Sequence, residues 1–598
     1  MCGIAGIVDS INRPRVSLIE QMLDPIQHRG PDGSGIYHAD GVALGHTRLS
    51  ILDLSDRGAQ PMTRGTLTIT YNGEIYNYVE LRRELTDLGQ VFASGTDTEV
   101  VLAAYAQWGA ECVGRFEGMW AFSIHNLGSN QLFCSRDRFG IKPFLYLAER
   151  GKFYFGSELS QFQRAGLASA PCMKSVYDFL VFGSSMSRQN SYLDRVHYLA
   201  PGHNLIVDCG DGSFSIDEYY RVGNSRELLD LTDSEYAEVL RAEFARSIDR
   251  HLRSDVEVGV LLSGGIDSSL LASVASPRYL AESGKRLTAF TAVSGDPRND
   301  ESRYAREVAQ STGLEWVPVP VTKSVTAERW AETTRVIQQP MADSSHVMQL
   351  EVMRGARESG STVLLDGQGA DEAWMGYERY AVAAFSDLPL AKRATFARKS
   401  ARHMDLSPAR WAAMLGYFSW PTLGAARTRM RLRQLGLQLD RDWFNESFEA
   451  SMAVGNRGRA ELQRAELQGS QLGGLLRYAD LTSMYVSVED RVPYLDHRLV
   501  ELALSAPTDL LFRDGWTKYP LRRLLQPHVP EGITWRRRKI GFEAPRVSFN
   551  LADPEVDAAL RRSKIATELG IDPTSLSRVP KVMAWRLYAI ALWEEVCL

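Results

Sequence analysis

Val258-Gly259-Val260-Leu261-Leu262-Ser263-Gly264-Gly265-Ile266-Asp267-Ser268-Ser269 decides how this chain folds. An apolar, β-branched run enters a serine–glycine turn, and Leu270–Ala275 follows with helical patterning. A strand, a tight turn and a helix N-terminus together make an anion cradle. The first N–H groups of a helix lack intrahelical partners, and the helix dipole favours negative charge there. Gly264 and Gly265 let phosphate oxygens approach the backbone, and Ser263, Ser268 and Ser269 add hydroxyl donors. No G-x-x-x-x-G-K-[ST] occurs, so the loop is not of the Walker type.

Outward from this loop, strand-like runs alternate with helical ones. Leu287–Val293, Leu314–Val321 and Thr362–Asp366 read as strands, and Glu301–Thr312 and Ser344–Glu358 as helices. That alternation predicts a parallel, doubly wound sheet. Its ligands bind outside the carboxyl ends of the strands. A second such end is Val363-Leu364-Leu365-Asp366-Gly367-Gln368-Gly369-Ala370-Asp371-Glu372. Asp267 and Asp371 are candidate Mg2+ ligands, because that ion takes carboxylate, water and phosphate oxygens. Upstream, Tyr236, Leu240, Phe244, Ile248 and Leu252 mark one face of a helix. Beyond about residue 380, helical patterning dominates.

The first part of the chain has another rhythm. Short apolar runs at Gly3–Val8, Gly41–Leu52, Leu67–Tyr71, Trp120–His125, Gln131–Ser135 and Lys152–Phe155 are interrupted by helical stretches near Tyr78–Leu88 and Thr98–Trp108. This predicts a layered α+β unit with largely antiparallel strands. The expected organisation is 1–210 for this unit, 211–230 for a linker and 231–598 for the α/β unit. With 598 residues, 68 Lys+Arg against 73 Asp+Glu and a net charge of −5, the chain carries no basic excess pointing to nucleic acid. It has no apolar run of about 18 residues for a membrane span and no secretory leader pattern. The six cysteines are widely spaced and form no C-x-x-C, which predicts reduced thiols in a cytoplasmic protein.

Cys2 stands apart from the other five. Removal of Met1 would leave it with a free α-amine, whose ordinary pKa of about 7.7–8.0 suits a base near neutral pH. The thiolate is the reactive form of cysteine, and an amine on the same residue can help generate it. Downstream come His28-Arg29-Gly30-Pro31-Asp32-Gly33, Gly45-His46-Thr47-Arg48-Leu49-Ser50-Ile51, Tyr71-Asn72-Gly73-Glu74-Ile75-Tyr76-Asn77, Ser94-Gly95-Thr96-Asp97-Thr98-Glu99 and Arg136-Asp137-Arg138-Phe139-Gly140-Ile141-Lys142-Pro143. In this order they resemble the class II glutamine amidotransferase domain, an N-terminal-nucleophile hydrolase with an αββα sandwich. The resemblance implies that Cys2 attacks the glutamine amide and that Asn72 and Gly73 form the oxyanion hole. It also implies that Arg48, Leu49, Ser50, Glu74 and Asp97 hold the substrate, and that His28 and His46 are structural.

The Ser263–Ser269 loop is similar to the PP-loop of ATP pyrophosphatases. A class II glutaminase followed by such a domain resembles the glutamine-dependent asparagine synthetases over nearly the whole chain. Ser487-Val488-Glu489-Asp490-Arg491-Val492-Pro493-Tyr494-Leu495-Asp496-His497, Thr517-Lys518-Tyr519-Pro520-Leu521-Arg522 and Arg538-Lys539-Ile540-Gly541-Phe542 agree with it. By that resemblance Leu262, Ala292, Asp366 and Gly367 contact adenosine, and Lys518 sits on the phosphates. ATP and Mg2+ activate a carboxylate as an acyl-adenylate, and ammonia from Cys2 displaces AMP. The default acceptor is L-aspartate, and the partners are small molecules, with a homodimer left open.

Two departures concern the acceptor. Gln368 stands where many members carry a glutamate that serves as a candidate base, and an amide accepts no proton near neutral pH. Trp374-Met375-Gly376-Tyr377 replaces the more usual Phe-Gly-Gly-Tyr. Gln368, Glu372, Glu489 and Arg491 are therefore the expected acceptor pocket, with Glu372 and Glu489 as replacement bases. Another carboxylic acid as acceptor, a PP-loop cyclase and a silent glutamine- or nucleotide-binding paralogue are the competing readings. Cys2→Ala is expected to abolish glutamine-driven amide formation and to spare ammonia-driven synthesis, with AMP release and product measured for both nitrogen sources.

Overall fold

A computed structural model describes residues 2–598 apart from 40, 185–186, 226–227, 229–230, 297–299, 405–406, 420–457, 538–553 and 571–580. In its N-terminal unit one six-stranded antiparallel sheet runs His197–Tyr198, Leu145–Glu149, Lys152–Gly156, Gly3–Asp9, Val42–Arg48, Gly33–Ala39. The second runs Phe214–Glu218, His203–Asp208, Gln131–Arg136, Gly118–Asn126, Leu67–Ile75, Met62–Arg64. Period-two alternation explains why the central strands are apolar throughout. Ile4 and Val8 face the second sheet and meet Ala121, Leu132 and Leu205. Ala5 and Ile7 face outward and pack on Ile19, Met22 and Phe162 of the covering helices. On the opposite side Leu81, Leu85 and Val100–Ala104 cover Ile69, Phe122 and Phe133. Two sheets between two helical layers are the expected αββα sandwich.

The α/β unit holds a five-stranded parallel sheet ordered Glu315–Pro320, Thr288–Val293, Val258–Leu261, Val363–Leu365, Glu489–Arg491. Chain order runs one way from Val258–Leu261 and then resumes on its other side. The switch point therefore falls between Val258–Leu261 and Val363–Leu365, where a parallel sheet opens its ligand crevice. Helix Ile266–Ser283 begins directly after the serine–glycine turn and buries Leu270, Leu271 and Ala275.

Phe214–Glu218, inside the stretch read as a linker, is an edge strand paired to His203–Asp208. Phe214 and Ile216 alternate with polar residues as in a strand, but the run is short, follows Asp211-Gly212-Ser213, and all five of its residues are exposed. Helix Lys581–Cys597 also departs from its expected place. Met583, Leu587 and Trp593 join the core of the N-terminal unit, with Trp593 edge-on to Tyr192.

The two units share a buried polar layer. The Arg29 side chain is fully buried; it donates to Glu158 (3.0 Å), to Asp480 of the α/β unit (2.9 Å) and to the Cys2 carbonyl (3.1 Å). Lys142 lies 3.7 Å from the same Asp480. Breaking such an arrangement strands two buried carboxylates. Arg29→Met is expected to lower unfolding stability by about 3–5 kcal/mol, read from urea denaturation. Burial opposes the Glu158 charge, but His28 and Arg29 outweigh it and hold the group at about 2 rather than its ordinary 4.5. A depressed carboxylate stabilises the fold above its unfolded pKa. That contribution is lost as pH falls from 4.5 towards about 2, and Glu158→Gln should flatten this part of the acid-unfolding curve.

Candidate functional site

Cys2 opens the central strand of the first sheet and is 8% exposed, at the floor of a small cleft. Its backbone N–H donates to Asn72 Oδ1 at 3.0 Å. That bond orients the Asn72 amide and leaves Nδ2, fully buried, with no partner among the described residues. A buried orphan donor is costly unless something fills it. The bond from Cys2 N holds this amide next to the nucleophile residue, where an oxyanion would need a donor. Gly73 follows on the same strand; a Cβ there would run into the backbone of Met119 and Trp120. Burial pushes the Cys2 thiol up.

Arg48, Leu49, Glu74 and Asp97 also line the cleft, as expected. Ser50 is not among the lining residues; its N–H donates to Asp32. Arg48 is braced by the carbonyls of Asp53 and Ser55. Asp97 accepts from Tyr71 Oη and Ile75 N, both at 2.8 Å. Tyr71 also lines the cleft, and only its place beside Asn72 could have flagged it. Burial, and then the neighbouring carboxylates, raise Glu74 well above the ordinary range, and burial raises Asp97. Burial and clustered carboxylates raise both groups, and an α-ammonium beside them would offset that cost. His46 is buried and held at about 3 by desolvation, so it stays neutral; its Nε2 lies 3.2 Å from the Tyr71 carbonyl.

At the switch point of the parallel sheet lies a cavity of about 880 Å3. Leu262, Ser263, Gly265, Asp267 and Ser268 form one wall, and Ala292, Asp366 and Gly367 contribute from neighbouring strand ends. Gly264 and Ser269 are not on the wall. Gly264, at φ +74°, turns the chain against Tyr304 and Ala305, where a side chain would collide. Ser269 is buried behind the turn. Lys518 Nζ sits 2.6 Å from Asp267 Oδ2 and 2.6 Å from Asp371 Oδ1. A Cβ on Gly376 would meet the side-chain ends of Asp371 and Lys518, so a larger residue there would displace this ion pair. Arg536 reaches the cavity and pairs with Glu301. The Arg538–Phe542 fragment lies outside the described residues.

Gln368 and Glu372 line this cavity, but Glu489 and Arg491 do not. This corrects the expected acceptor pocket. Strand Glu489–Arg491 lies at the edge of the parallel sheet, and the Arg491 guanidinium points to Glu489 (2.5 Å) and to Glu74 of the glutamine cleft (3.7 Å). Arg491 outweighs burial and holds Glu489 at about 2, which disqualifies it as a base in the cavity. Glu372 accepts from Tyr377 Oη at 2.7 Å, and burial, then Asp371, raise it to about 7.

The glutamine amidotransferase domain model matches residues 1–220 and the asparagine synthase model residues 239–593. Asparagine synthetase [glutamine-hydrolyzing] 1 of Bacillus subtilis is 31% identical over 570 residues, covering 91% of this chain and 87% of the relative. A putative asparagine synthetase [glutamine-hydrolyzing] of Mycobacterium tuberculosis H37Rv is 30% identical over 593 residues, covering 91% and 88%. The amidase chry2 of Gibberella zeae is 27% identical over 607 residues, covering 91% and 89%. With a glutaminase cleft and a PP-loop cavity in one chain, matched over 91% of its length by these relatives, this protein belongs to the asparagine synthase family and is a glutamine-dependent amidotransferase.

Proposed function

We propose that the protein converts a carboxylic acid to its amide, using glutamine nitrogen and the cleavage of ATP to AMP and pyrophosphate, with L-aspartate the first acceptor to test. The carrying observation is the orphaned Asn72 Nδ2, held next to Cys2 by the Cys2 N–H, together with the raised Glu74 and Asp97 that line the cleft at whose floor Cys2 lies. The α-amine of a processed Cys2 takes the thiol proton, and the sulfur attacks the glutamine amide carbon. Asn72 Nδ2 and the Gly73 N–H take the negative charge that develops on its oxygen. Glu74 and Asp97 receive the substrate's ammonium, and Arg48 its carboxylate.

In the cavity, the Ser263–Ser269 turn and its helix N-terminus hold the pyrophosphate portion of ATP. Leu262, Ala292, Asp366 and Gly367 seat the adenosine. Asp267 and Asp371, both paired to Lys518 Nζ, are the carboxylates that would hold Mg2+, which takes one or two carboxylates plus substrate phosphates. That ion would neutralise charge on the leaving pyrophosphate. Lys518, already between the two carboxylates, adds a second positive charge where the bond breaks. The acceptor carboxylate attacks the α-phosphate, and ammonia then displaces AMP. The reduced cysteines fit a cytoplasmic setting.

Away from the PP-loop, the cavity wall carries Met348, Met404, Met414 and Trp516, apolar surface beyond what aspartate uses. This supports a second reading, a larger acid as acceptor, in keeping with the amidase-named relative. The test is a panel of carboxylic acids, L-aspartate and apolar monoacids included, incubated with ATP, Mg2+ and ammonium and scored for AMP and amide. Absence of AMP with every acid would overturn the synthetase assignment. Asn72→Ala is expected to lower glutamine hydrolysis about 10²–10³-fold in kcat and to leave ammonia-dependent synthesis unchanged.

A further inference from the structure

The glutamine cleft is lined by the N-terminal unit, but the loop at its rim is held from outside that unit. Its rim is the loop after Arg48, which brings Leu49, Ile51 and Leu52 to the opening. Asp53 in that loop has φ +52°, a left-handed conformation that non-glycine residues adopt at a cost. Asp53 is a hub. Its carbonyl braces Arg48, and its carboxylate accepts from Gly95 N at 2.7 Å. Its own N–H donates across the domain boundary to Asp255 Oδ2 at 2.8 Å. Asp255 returns the contact, its N–H donating to the Ile51 carbonyl at 3.0 Å. One residue of the synthetase unit thus clips both sides of the loop that holds Arg48.

Asp255 lies three residues before Val258, the first residue of the strand that runs into the PP-loop. A second tether runs beside it. Arg491 faces Glu74, donates to the carbonyls of His251 (2.6 Å) and Arg253 (2.8 Å), and accepts from Asp366 N at its own carbonyl (2.8 Å). Asp366 and Gly367 form the adenosine side of the cavity. Residues 251–255 and 489–491 are therefore one hydrogen-bonded block, with the glutamine loop on one side and both nucleotide loops on the other.

We propose that Asp255 is a positioning residue of the glutaminase, setting the Ile51–Asp53 loop and thereby Arg48, and that through it nucleotide at the PP-loop changes the affinity for glutamine. The inference rests on the functional reading above. Coupling between sites is reciprocal, so glutamine must shift nucleotide affinity by the same factor.

The test is glutamine hydrolysis by the full chain with and without Mg2+ and α,β-methylene-ATP, which resists cleavage at the bond concerned. In the wild type the analogue should change KM for glutamine by at least about threefold. Asp255→Ala should raise that KM about tenfold, the loss of a charge-assisted bond, keep kcat within about twofold and abolish the analogue's effect. Calorimetry should give Asp255→Ala an unchanged affinity for the analogue itself. Asp255→Asn retains an acceptor oxygen and should restore the wild-type KM and the shift. The proposal is overturned if Asp255→Ala keeps the wild-type KM or the full shift, or if kcat and analogue affinity fall alongside the rise in KM. It is also overturned if Asp255→Asn behaves as Asp255→Ala does. A wild type that releases no ammonia from glutamine refutes the glutaminase reading itself, a distinct result seen before any variant is compared.

Discussion

Everything in this molecule depends on how Arg29 is held. Its guanidinium is removed from water and finds partners in Glu158, Asp480 and the Cys2 carbonyl. A buried charge is tolerated only when it is paired and hydrogen-bonded. Because one carboxylate comes from each unit and the third partner is the nucleophile's own backbone, the same ion cluster fixes the glutaminase floor and docks the synthetase unit on it.

The contact between units is apolar at Leu49, Ile51, Met119 and Phe139 and around Trp593, and it also carries a buried polar layer. Arg29, Lys142 and Arg491 oppose Glu158, Asp480, Glu489 and Glu74. Such a layer costs desolvation, so geometry must be met closely for the units to dock at all. Its reward is position. Strand Glu489–Arg491 belongs to the nucleotide sheet yet directs Glu489 and Arg491 at the glutamine side, since alternate residues of a strand face opposite ways.

Most of the sandwich was legible because strands buried on both faces are apolar throughout, as in Gly3–Asp9 and Gly118–Asn126. Exposed edges left no such trace. Gly33–Ala39 and Phe214–Glu218 are polar or solvent-facing and were missed as strands. The PP-loop was legible because phosphate binding demands a glycine turn at a strand end. Glu489 and Arg491 misled for a corresponding reason. A charged pair inside a family-like fragment reads as a pocket, and nothing local tells which side of a strand faces which cavity.

What the amino-acid order determined by itself is the local chemistry: a cysteine at position 2, an Asn-Gly pair on an apolar strand and a serine–glycine turn before a helix. Those signals are short-range, because turn geometry, capping and strand alternation are set within a few residues. What only the tertiary structure decided is which distant groups meet. Arg29 reaches Asp480 across 451 positions, and Asp53 reaches Asp255 across 202. Trp593 enters a core built mainly by the first 200 residues. Burial and long-range charge pairing make these choices, and neither has a period or a motif that a linear reading can detect.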